Sequence, residues 1–277
     1  MNKNDIMKIT GEYGLAPNKK LGQNFLINDD VISKILNACS PDNRNILEIG
    51  PGLGAISTGL AERGRSYTAV EIDSGFSRYL SDIFSGKENV SIIHADFLKT
   101  VIDDRFDLIV SNLPYYCASE ILFRIAENFS APEVYGMMQK EMGDRITAAP
   151  GSENYGALTV TLSYHFKARV LFHVPGESFY PRPEVRSSFL QFKRKERTFY
   201  GPEKDEMFHL VVKSAFWGRR KTLHKSLSGS PHLELGRELI NDAIKESGID
   251  PDVRGERLSL EEFIRLTETI VKMKTGA

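Results

Sequence analysis

Short apolar runs alternate with amphipathic segments through the first two thirds of the chain. Apolar runs bounded by turn residues are typical of buried strands, whereas apolar residues spaced about 3.6 apart are typical of helices. The predicted strands are Asn45–Ile49, Tyr67–Ile72, Val90–Ala95, Phe106–Val110, Val134–Gln139, Leu158–Phe166 and Ser187–Phe192. The predicted helices are Ala55–Arg63, Phe76–Phe84 and Ser119–Ala126. This order predicts an α/β fold with a doubly wound, Rossmann-like sheet, and an antiparallel reversal where no helix separates the last two strands.

The pattern changes after Phe192, where charged residues lead into the turn-forming pair Gly201 and Pro202. Such a stretch suits a linker between domains. Helical spacing without a strand pattern then continues over Met207–Phe216, Thr222–Leu227, Glu234–Glu246 and Ser259–Thr269. We therefore predict an α/β domain with an N-terminal arm over residues 1–194 and a small all-helical domain over residues 195–277.

The composition is that of a globular protein, with 41% hydrophobic and 26% charged residues in a chain of 277. No apolar run approaches the roughly 20 residues of a membrane span, and the first residues do not resemble a secretory signal. Cys39 and Cys117 are too few for a disulfide framework, and the six histidines show no metal-ligand spacing. We therefore expect a cytoplasmic protein without a metal.

The charges are unevenly distributed, although the net charge is only −1. Residues 182–227 contain 12 basic and 5 acidic residues. Such a stretch can be a solvated face, or it can bind a polyanion, because contacts with phosphates release counterions. The sequence pattern alone leaves both interpretations open.

A glycine-rich turn, Gly50–Gly54, follows the first predicted strand, and Glu71 lies at the end of the second. Glycines let the backbone approach a ligand closely, and a carboxylate about 20 residues further on can accept hydrogen bonds from a ribose diol. The pattern predicts a nucleoside-cofactor site, although a tight turn alone would also use glycines. It also fits the dinucleotide fingerprint G-x-G-x-x-A, so a nicotinamide-dependent oxidoreductase is an open alternative.

A second carboxylate, Asp96, ends the third predicted strand at the same edge of the sheet. It could accept a hydrogen bond from an adenine amine, or it could cap the N-terminus of a helix. Two carboxylates around one nucleoside suit a cationic ligand without phosphates better than a pyrophosphate. S-adenosylmethionine is such a ligand, so methyl transfer is the favoured chemistry.

The segment Asn112–Tyr115 follows the fourth predicted strand. An exocyclic base amine is a poor nucleophile, and two acceptors at its hydrogens would favour attack by its nitrogen. The Asn112 side-chain oxygen and a backbone carbonyl near Leu113 or Pro114 can be these acceptors, and Tyr115 can stack on the base. Pro114 stiffens the turn and removes an N–H donor. Catalysis would then depend on positioning and electrostatics, without a strong general base. The alternative is a strand-end turn with packed tyrosines.

Several segments together resemble the KsgA-type adenine dimethyltransferases of small-subunit ribosomal RNA. The resemblance extends from about Lys19 to about Leu266. It is carried by Leu21–Leu26, Glu48–Gly54, Val70–Asp73, Asn112–Tyr115, Pro150–Ser152, Tyr155–Gly156, Phe179–Val185, Arg219–Leu223, Arg257–Ser259 and Glu262–Phe263.

The resemblance implies a role for each matching residue. Asn24 and Leu26 would lie in an arm over S-adenosylmethionine, and Gly50 would contact its amino-acid end. Glu71 would hold the ribose, Asp96 the adenine amine, and Asn112 would bridge cofactor and target amine. The extruded adenine would be sandwiched by Tyr115 and Phe179.

The resemblance also implies the substrate and the partner. The family dimethylates two adjacent adenosines in a hairpin loop near the 3′ end of 16S rRNA, late in assembly of the pre-30S particle. The basic stretch then becomes an RNA-binding surface, with the candidate contacts Arg182, Arg186, Arg219, Arg220 and Lys221. We expect a monomer. An assembly factor that binds the small subunit with little turnover is a further alternative.

One departure from the family pattern lies beside the predicted catalytic turn. The family usually has Asn directly after Asn-Leu-Pro-Tyr, whereas this chain has Tyr116 followed by Cys117. The predicted acceptors precede this point, so the departure bears on the fit of a monomethylated base and on the second transfer.

Overall fold

The computed structural model describes residues 2–15, 23–196, 201–218 and 220–275. Leu21, Gly22 and Arg219 therefore lie outside the described residues. The helices are α1 (Lys3–Glu12), α2 (Asp29–Cys39), α3 (Ser57–Arg63), α4 (Ser74–Ile83), α5 (Ala118–Asn128), α6 (Lys140–Ile146), α7 (Ala157–His165), α8 (Pro202–Ala215), α9 (Leu223–Ser228), α10 (Arg237–Glu246) and α11 (Leu260–Thr275). The strands are β1 (Phe25–Leu26), β2 (Asn45–Ile49), β3 (Ser66–Glu71), β4 (Val90–His94), β5 (Leu108–Asn112), β6 (Glu133–Gln139), β7 (Phe166–Val174), β8 (Phe179–Tyr180) and β9 (Ser187–Arg194).

Seven strands form one sheet in the order β4-β3-β2-β5-β6-β9-β7. The first five are parallel to each other, and β9 is antiparallel to both β6 and β7. The predicted doubly wound α/β fold and the late antiparallel reversal are therefore confirmed. Because the carboxyl ends of β2, β3 and β5 meet at one edge, the turns after these strands lie close together.

The predicted strand Leu158–Phe166 is wrong. Its residues up to His165 form helix α7, and a strand that the pattern did not predict, β7, begins at Phe166. Leu158, Val160 and Leu162 are all buried. A helix that is buried on most sides has no amphipathic pattern, because apolar residues occur all around it. The β-branched residues of this segment therefore resemble those of a buried strand, and the sequence pattern alone does not distinguish the two conformations.

The chain divides into two compact units. The first, Met1–Gly143 with Phe166–Arg194, contains the sheet, and the second, Asp144–His165 with Lys195–Ala277, is helical. Residues 144–165 were predicted from the sequence to belong to the first domain. Their packing assigns them to the second unit, because Tyr155 and Val160 join its apolar core. None of the helices that the structure describes is long and apolar enough to cross a membrane.

Each unit has its own core. In the first unit it contains buried residues of the central strands and of the helices that cover them, including Ile35, Ile46, Leu60, Leu108 and Val110. In the second unit it contains residues of α8, α10 and α11, including Phe208, Val211, Ile240, Phe263 and Leu266. Each such side chain stabilises the fold by about 1.5–3 kcal/mol on burial.

Helix α1 supports the arm that the sequence analysis predicted. Its Asn2 cap accepts hydrogen bonds from the N–H groups of Asn4 and Asp5. Its one fully buried side chain, Ile6, packs with Phe25, Leu53 and Phe76. Phe25 belongs to the arm and Leu53 to the glycine loop, so α1 holds two parts of the predicted site together.

Replacing Ile6 by Ala tests this packing. Ile6 is 1% exposed, so the cavity should lower the free energy of unfolding by about 2–5 kcal/mol in chemical denaturation. Met7, the next residue of the helix, is 55% exposed, and Met7→Ala should change that free energy by less than about 0.5 kcal/mol. Equal effects of the two substitutions would contradict the packing of α1.

Candidate functional site

One pocket opens at the carboxyl edge of the sheet, within the first unit. It is lined by the arm residues 23–26, the glycine loop after β2, the end of β3 and the turn after β5. Two carboxylates, Glu48 and Glu71, belong to the lining, and none of the described lining residues is Lys or Arg. The electrostatics of this pocket favour a cationic ligand and disfavour a pyrophosphate.

The glycine loop has a backbone conformation that strongly favours glycine at two positions of the pocket wall. Gly50 has φ of +65° and Gly52 has φ of +57°. A Cβ atom on Gly52 would lie 3.2 Å from the ring of Phe25. The loop can therefore take this shape, with the arm packed directly against it, because residue 52 has no side chain.

Glu71 ties the glycine loop to the end of β3. One carboxylate oxygen accepts a hydrogen bond from the Gly52 N–H and the other accepts one from the Asp73 N–H, both at 2.9 Å. The side chain is 4% exposed, and burial raises its pKa, although these two N–H donors oppose the shift. Each oxygen keeps a lone pair for a further donor, such as a ribose hydroxyl.

Glu48 is a pocket residue that the sequence analysis did not single out. One of its oxygens accepts hydrogen bonds from the hydroxyls of Ser57, at 2.7 Å, and Tyr67. Burial raises the pKa of this carboxyl to about 7, although both hydroxyl donors favour its charged form. An acidic residue inside the apolar strand before a glycine loop was the signal in the sequence.

Asn112, the last residue of β5, lies in the pocket lining. Its Nδ2 donates to the backbone oxygen of Asn24, with a separation of 3.3 Å. This bond joins the turn to the arm and leaves the amide oxygen, Oδ1, to accept from another group. Leu113, Pro114 and Tyr115 also line the pocket. The structure thus brings together the predicted residues Asn24, Leu26, Gly50, Glu71 and Asn112–Tyr115.

Tyr115 is half-buried in the turn after β5, close to Ser187 at the start of β9. Its hydroxyl lies 3.1 Å from the Ser187 hydroxyl, and burial raises its pKa. The other predicted ring, Phe179, is 3% exposed, packs in the core with Leu26 and Phe189, and is not part of the pocket lining. Sandwiching of a base between Tyr115 and Phe179 stays a prediction, and it requires the Phe179 ring to become accessible when RNA binds.

Asp96 lies outside the pocket lining. Its carboxylate accepts from the Leu98 N–H at 3.0 Å and pairs with Lys99 at 3.3 Å. These contacts are those of a turn at the end of β4. Its contact with a cofactor adenine stays a prediction.

Two exposed side chains of the pocket were not assigned a role by the sequence analysis. Ile72 is 46% exposed, follows Glu71 and adds an apolar surface to the pocket lining. Tyr116 is 55% exposed, and burial together with a hydrogen bond to Cys117 raises its pKa to about 12. The departure from the family pattern therefore places a neutral phenol in the pocket lining.

The candidate RNA contacts are exposed where the structure describes them. The Arg182 guanidinium nitrogen Nη2 lies 3.7 Å from the Glu177 carboxylate oxygen Oε2. Both side chains are largely exposed, so this ion pair contributes little to the stability of the fold. Arg186 is exposed in the first unit, and Arg220 and Lys221 are exposed in the second. Within the described ranges, no group of three or more His, Cys, Asp or Glu side chains is arranged to hold a metal ion.

The raised pKa of Glu48 predicts a pH dependence of stability. The unfolded carboxyl has a pKa near 4.5 and the folded one near 7, so the folded state keeps a proton that the unfolded state has released. The free energy of unfolding should therefore decrease between about pH 4.5 and 7, by at most about 3.5 kcal/mol. In Glu48→Gln this group no longer titrates, so the free energy of unfolding, measured by chemical denaturation at several pH values in that range, should decrease less than in the wild type. Parallel curves for the wild type and the variant would contradict this assignment.

Known proteins with similar sequences are rRNA adenine dimethyltransferases, in agreement with the resemblance found in the sequence. The ribosomal RNA adenine dimethylase family matches residues 14–272. Relatives named ribosomal RNA small subunit methyltransferase A include those of Bacillus pumilus, 36% identical, and Geobacillus thermodenitrificans, 37% identical, each over 96% of this chain and 95% of the relative.

Two solved structures have the same fold. A dimethyladenosine transferase from Plasmodium falciparum superposes with a TM-score of 0.77 at 24% identity, over 91% of this chain and 98% of that chain. The 23S rRNA methyltransferase ErmE superposes with a TM-score of 0.67 at 25% identity, over 90% of this chain and all of that chain.

These matches confirm the resemblance found in the sequence and exclude the nicotinamide-dependent oxidoreductase. The family match covers both units, and the pocket has the donor and acceptor groups that a cationic nucleoside requires. The chain therefore belongs to the ribosomal RNA adenine dimethylase family and is an S-adenosylmethionine-dependent rRNA methyltransferase.

Proposed function

We propose that the chain dimethylates the N6 amines of two adjacent adenosines in the 3′-terminal hairpin loop of 16S rRNA. The observation that carries this proposal is the pocket in which Asn112 and Glu71 are held together with the arm. The names of the relatives support the small subunit as substrate. The protein would act as a monomer in the cytoplasm, on a late pre-30S particle.

The pocket residues fit S-adenosylmethionine, which supplies an electrophilic methyl group on a positively charged sulfur. Glu71 would accept hydrogen bonds from the ribose hydroxyls with the lone pairs that Gly52 and Asp73 leave unused. Gly50 would let the backbone approach the amino-acid end. Ile72 would pack against the adenine, with Asp96 at its amine.

Asn112 would position the target amine. Its Oδ1 and a backbone carbonyl near Leu113 or Pro114 would accept the two amine hydrogens, so that the nitrogen lone pair points along the line of methyl transfer. This arrangement lowers the barrier by orientation and by interaction with the positive charge that develops on nitrogen. The product amine then loses its proton readily, so no strong base is required.

The exposed basic residues would bind the RNA backbone. Arg182 and Arg186 of the first unit and Arg220 and Lys221 of the second would contact phosphates, together with Arg219, which lies outside the described residues. Such contacts depend on the shape of the RNA more than on its sequence. They would fix the loop so that an adenine extruded from it reaches Tyr115 and Phe179.

Replacing Asn112 by Ala should abolish methylation, because the amine loses its side-chain acceptor. The assay incubates the protein and labelled S-adenosylmethionine with small subunits that lack adenine methylation, and maps the label by mass spectrometry. We expect label on two adjacent adenosines with the wild type and none with the variant. Binding of the variant to the subunits should be retained.

The same assay separates the alternatives. A wild-type protein that binds subunits but transfers no label would indicate an assembly factor. Label on another base or on large-subunit RNA would contradict the proposed substrate. Full activity of Asn112→Ala would contradict the proposed role of the amide.

Tyr115 is tested by a pair of substitutions. Tyr115→Ala removes the ring and should lower kcat/KM for RNA about 5- to 150-fold, the range that base stacking supplies. Tyr115→Phe keeps the ring and loses only the contact with Ser187, so its activity should remain within a few-fold of wild type. Affinity for S-adenosylmethionine, measured by calorimetry, should be unchanged in both. A comparable loss of that affinity in Tyr115→Ala would contradict the stacking role.

A further inference from the structure

Trp217 is an exposed aromatic residue in the helical unit. It is the only tryptophan of the chain, it follows helix α8, and it is 53% exposed. Among the described residues of this unit, it is the one large apolar side chain that is exposed. Tryptophan is enriched at binding interfaces, because the indole combines a large apolar face with a polar N–H.

The turn that contains Trp217 holds its ring in place. The Trp217 N–H donates to the Ser214 oxygen at 3.2 Å, and the indole meets the His232 ring edge-on, with centroids 5.1 Å apart and planes at 88°. The next residue, Gly218, has its backbone oxygen bound by the Lys221 N–H at 2.7 Å and by the Ser226 hydroxyl. The indole therefore has a defined orientation before any partner binds.

The surroundings of Trp217 in the sequence are basic. The segment from Met207 to Leu233 contains no Asp or Glu and five Lys or Arg residues. Four of these, Lys213, Arg220, Lys221 and Lys225, are exposed, and none of the four forms an ion pair with a described residue. The side chain of Lys221 lies against Gly218, directly beside Trp217.

We propose that Trp217 stacks on an unpaired base of the RNA while the adjacent basic side chains bind its phosphates. An oriented aromatic ring among unpaired cations is the combination by which single-stranded nucleic acid is bound. A duplex offers no base face to such a ring, so the partner is a looped or bulged segment. This inference rests on the proposed function for the identity of the partner, and it adds a second contact point, separate from the methyl-transfer pocket.

The single tryptophan makes the contact directly observable. Tryptophan emission of the full-length protein comes from Trp217 alone, so titration with a small-subunit RNA hairpin that contains unpaired bases should change it saturably. A fully paired RNA of equal length and a polyglutamate peptide should leave the emission unchanged at the same ionic strength. Equal changes with the peptide would overturn the proposal, because they would reveal an interaction with charge and not with bases.

Substitutions separate stacking from charge. Trp217→Ala should weaken hairpin binding about 5- to 150-fold without altering the slope of log K against log salt, and Trp217→Phe should retain most of the affinity. Lys221→Ala should reduce the magnitude of that slope by about one. Lys245→Ala, at an exposed site on α10, is the matched control and should change neither quantity. Circular dichroism would verify that the variants are folded.

The outcomes distinguish this inference from the proposed function. Unchanged emission at saturating RNA, or wild-type affinity of Trp217→Ala, would overturn the stacking role even if adenines are methylated. Conversely, a protein that shows the emission change but transfers no methyl group to small-subunit RNA would overturn the proposed function and leave the stacking role intact.

Discussion

The carboxylate of Glu71 is the contact on which the site depends. It accepts the N–H groups of Gly52 and Asp73, so the glycine loop after β2 and the turn after β3 have one fixed separation. Phe25 of the arm packs where a Cβ of residue 52 would lie, and the arm is joined to Asn112 through the backbone oxygen of Asn24. The glycine loop, the arm and the turn after β5 therefore have a single arrangement, which is what the proposed catalysis by orientation requires.

Charge divides the molecule into regions with different chemistry. The described lining of the pocket contains two carboxylates and no Lys or Arg, which suits a cationic methyl donor. Residues 182–227 instead contain an excess of basic residues, which suits phosphates, and none of the basic side chains described there belongs to the pocket lining. The net charge of −1 conceals this division, because acidic residues in the rest of the chain offset the excess of basic residues over 182–227.

Local patterns determined which features could be predicted. Features could be predicted where a short segment determines them through its hydrophobic period or its turn residues. These features are the strands β2, β3 and β5, the glycine loop, Glu71 and Asn112. The conformation of Leu158–Phe166 depends on burial against helices distant in sequence, so periodicity could not reveal it.

The accessibility of individual side chains could not be predicted from the sequence either. Phe179 is buried in the core, although it lies in a segment that resembles the family. Asp96 makes contacts within its own turn, although the resemblance implied a contact with the cofactor adenine. Glu48 has a signal in the sequence, an acidic residue in an apolar strand before a glycine loop, but its hydrogen bonds with Ser57 and Tyr67 and its place in the pocket lining follow only from the structure. Residue type predicts which chemistry is possible, whereas packing decides which atoms a ligand can reach.

A crystal structure with S-adenosylhomocysteine would show directly how the pocket holds a cofactor. We predict that both ribose hydroxyls lie within hydrogen-bond distance of Glu71 and that the sulfur lies beside Asn112, with the arm residues 23–26 covering the ligand. A nucleoside bound elsewhere, or one whose sulfur is directed away from Asn112, would contradict the account.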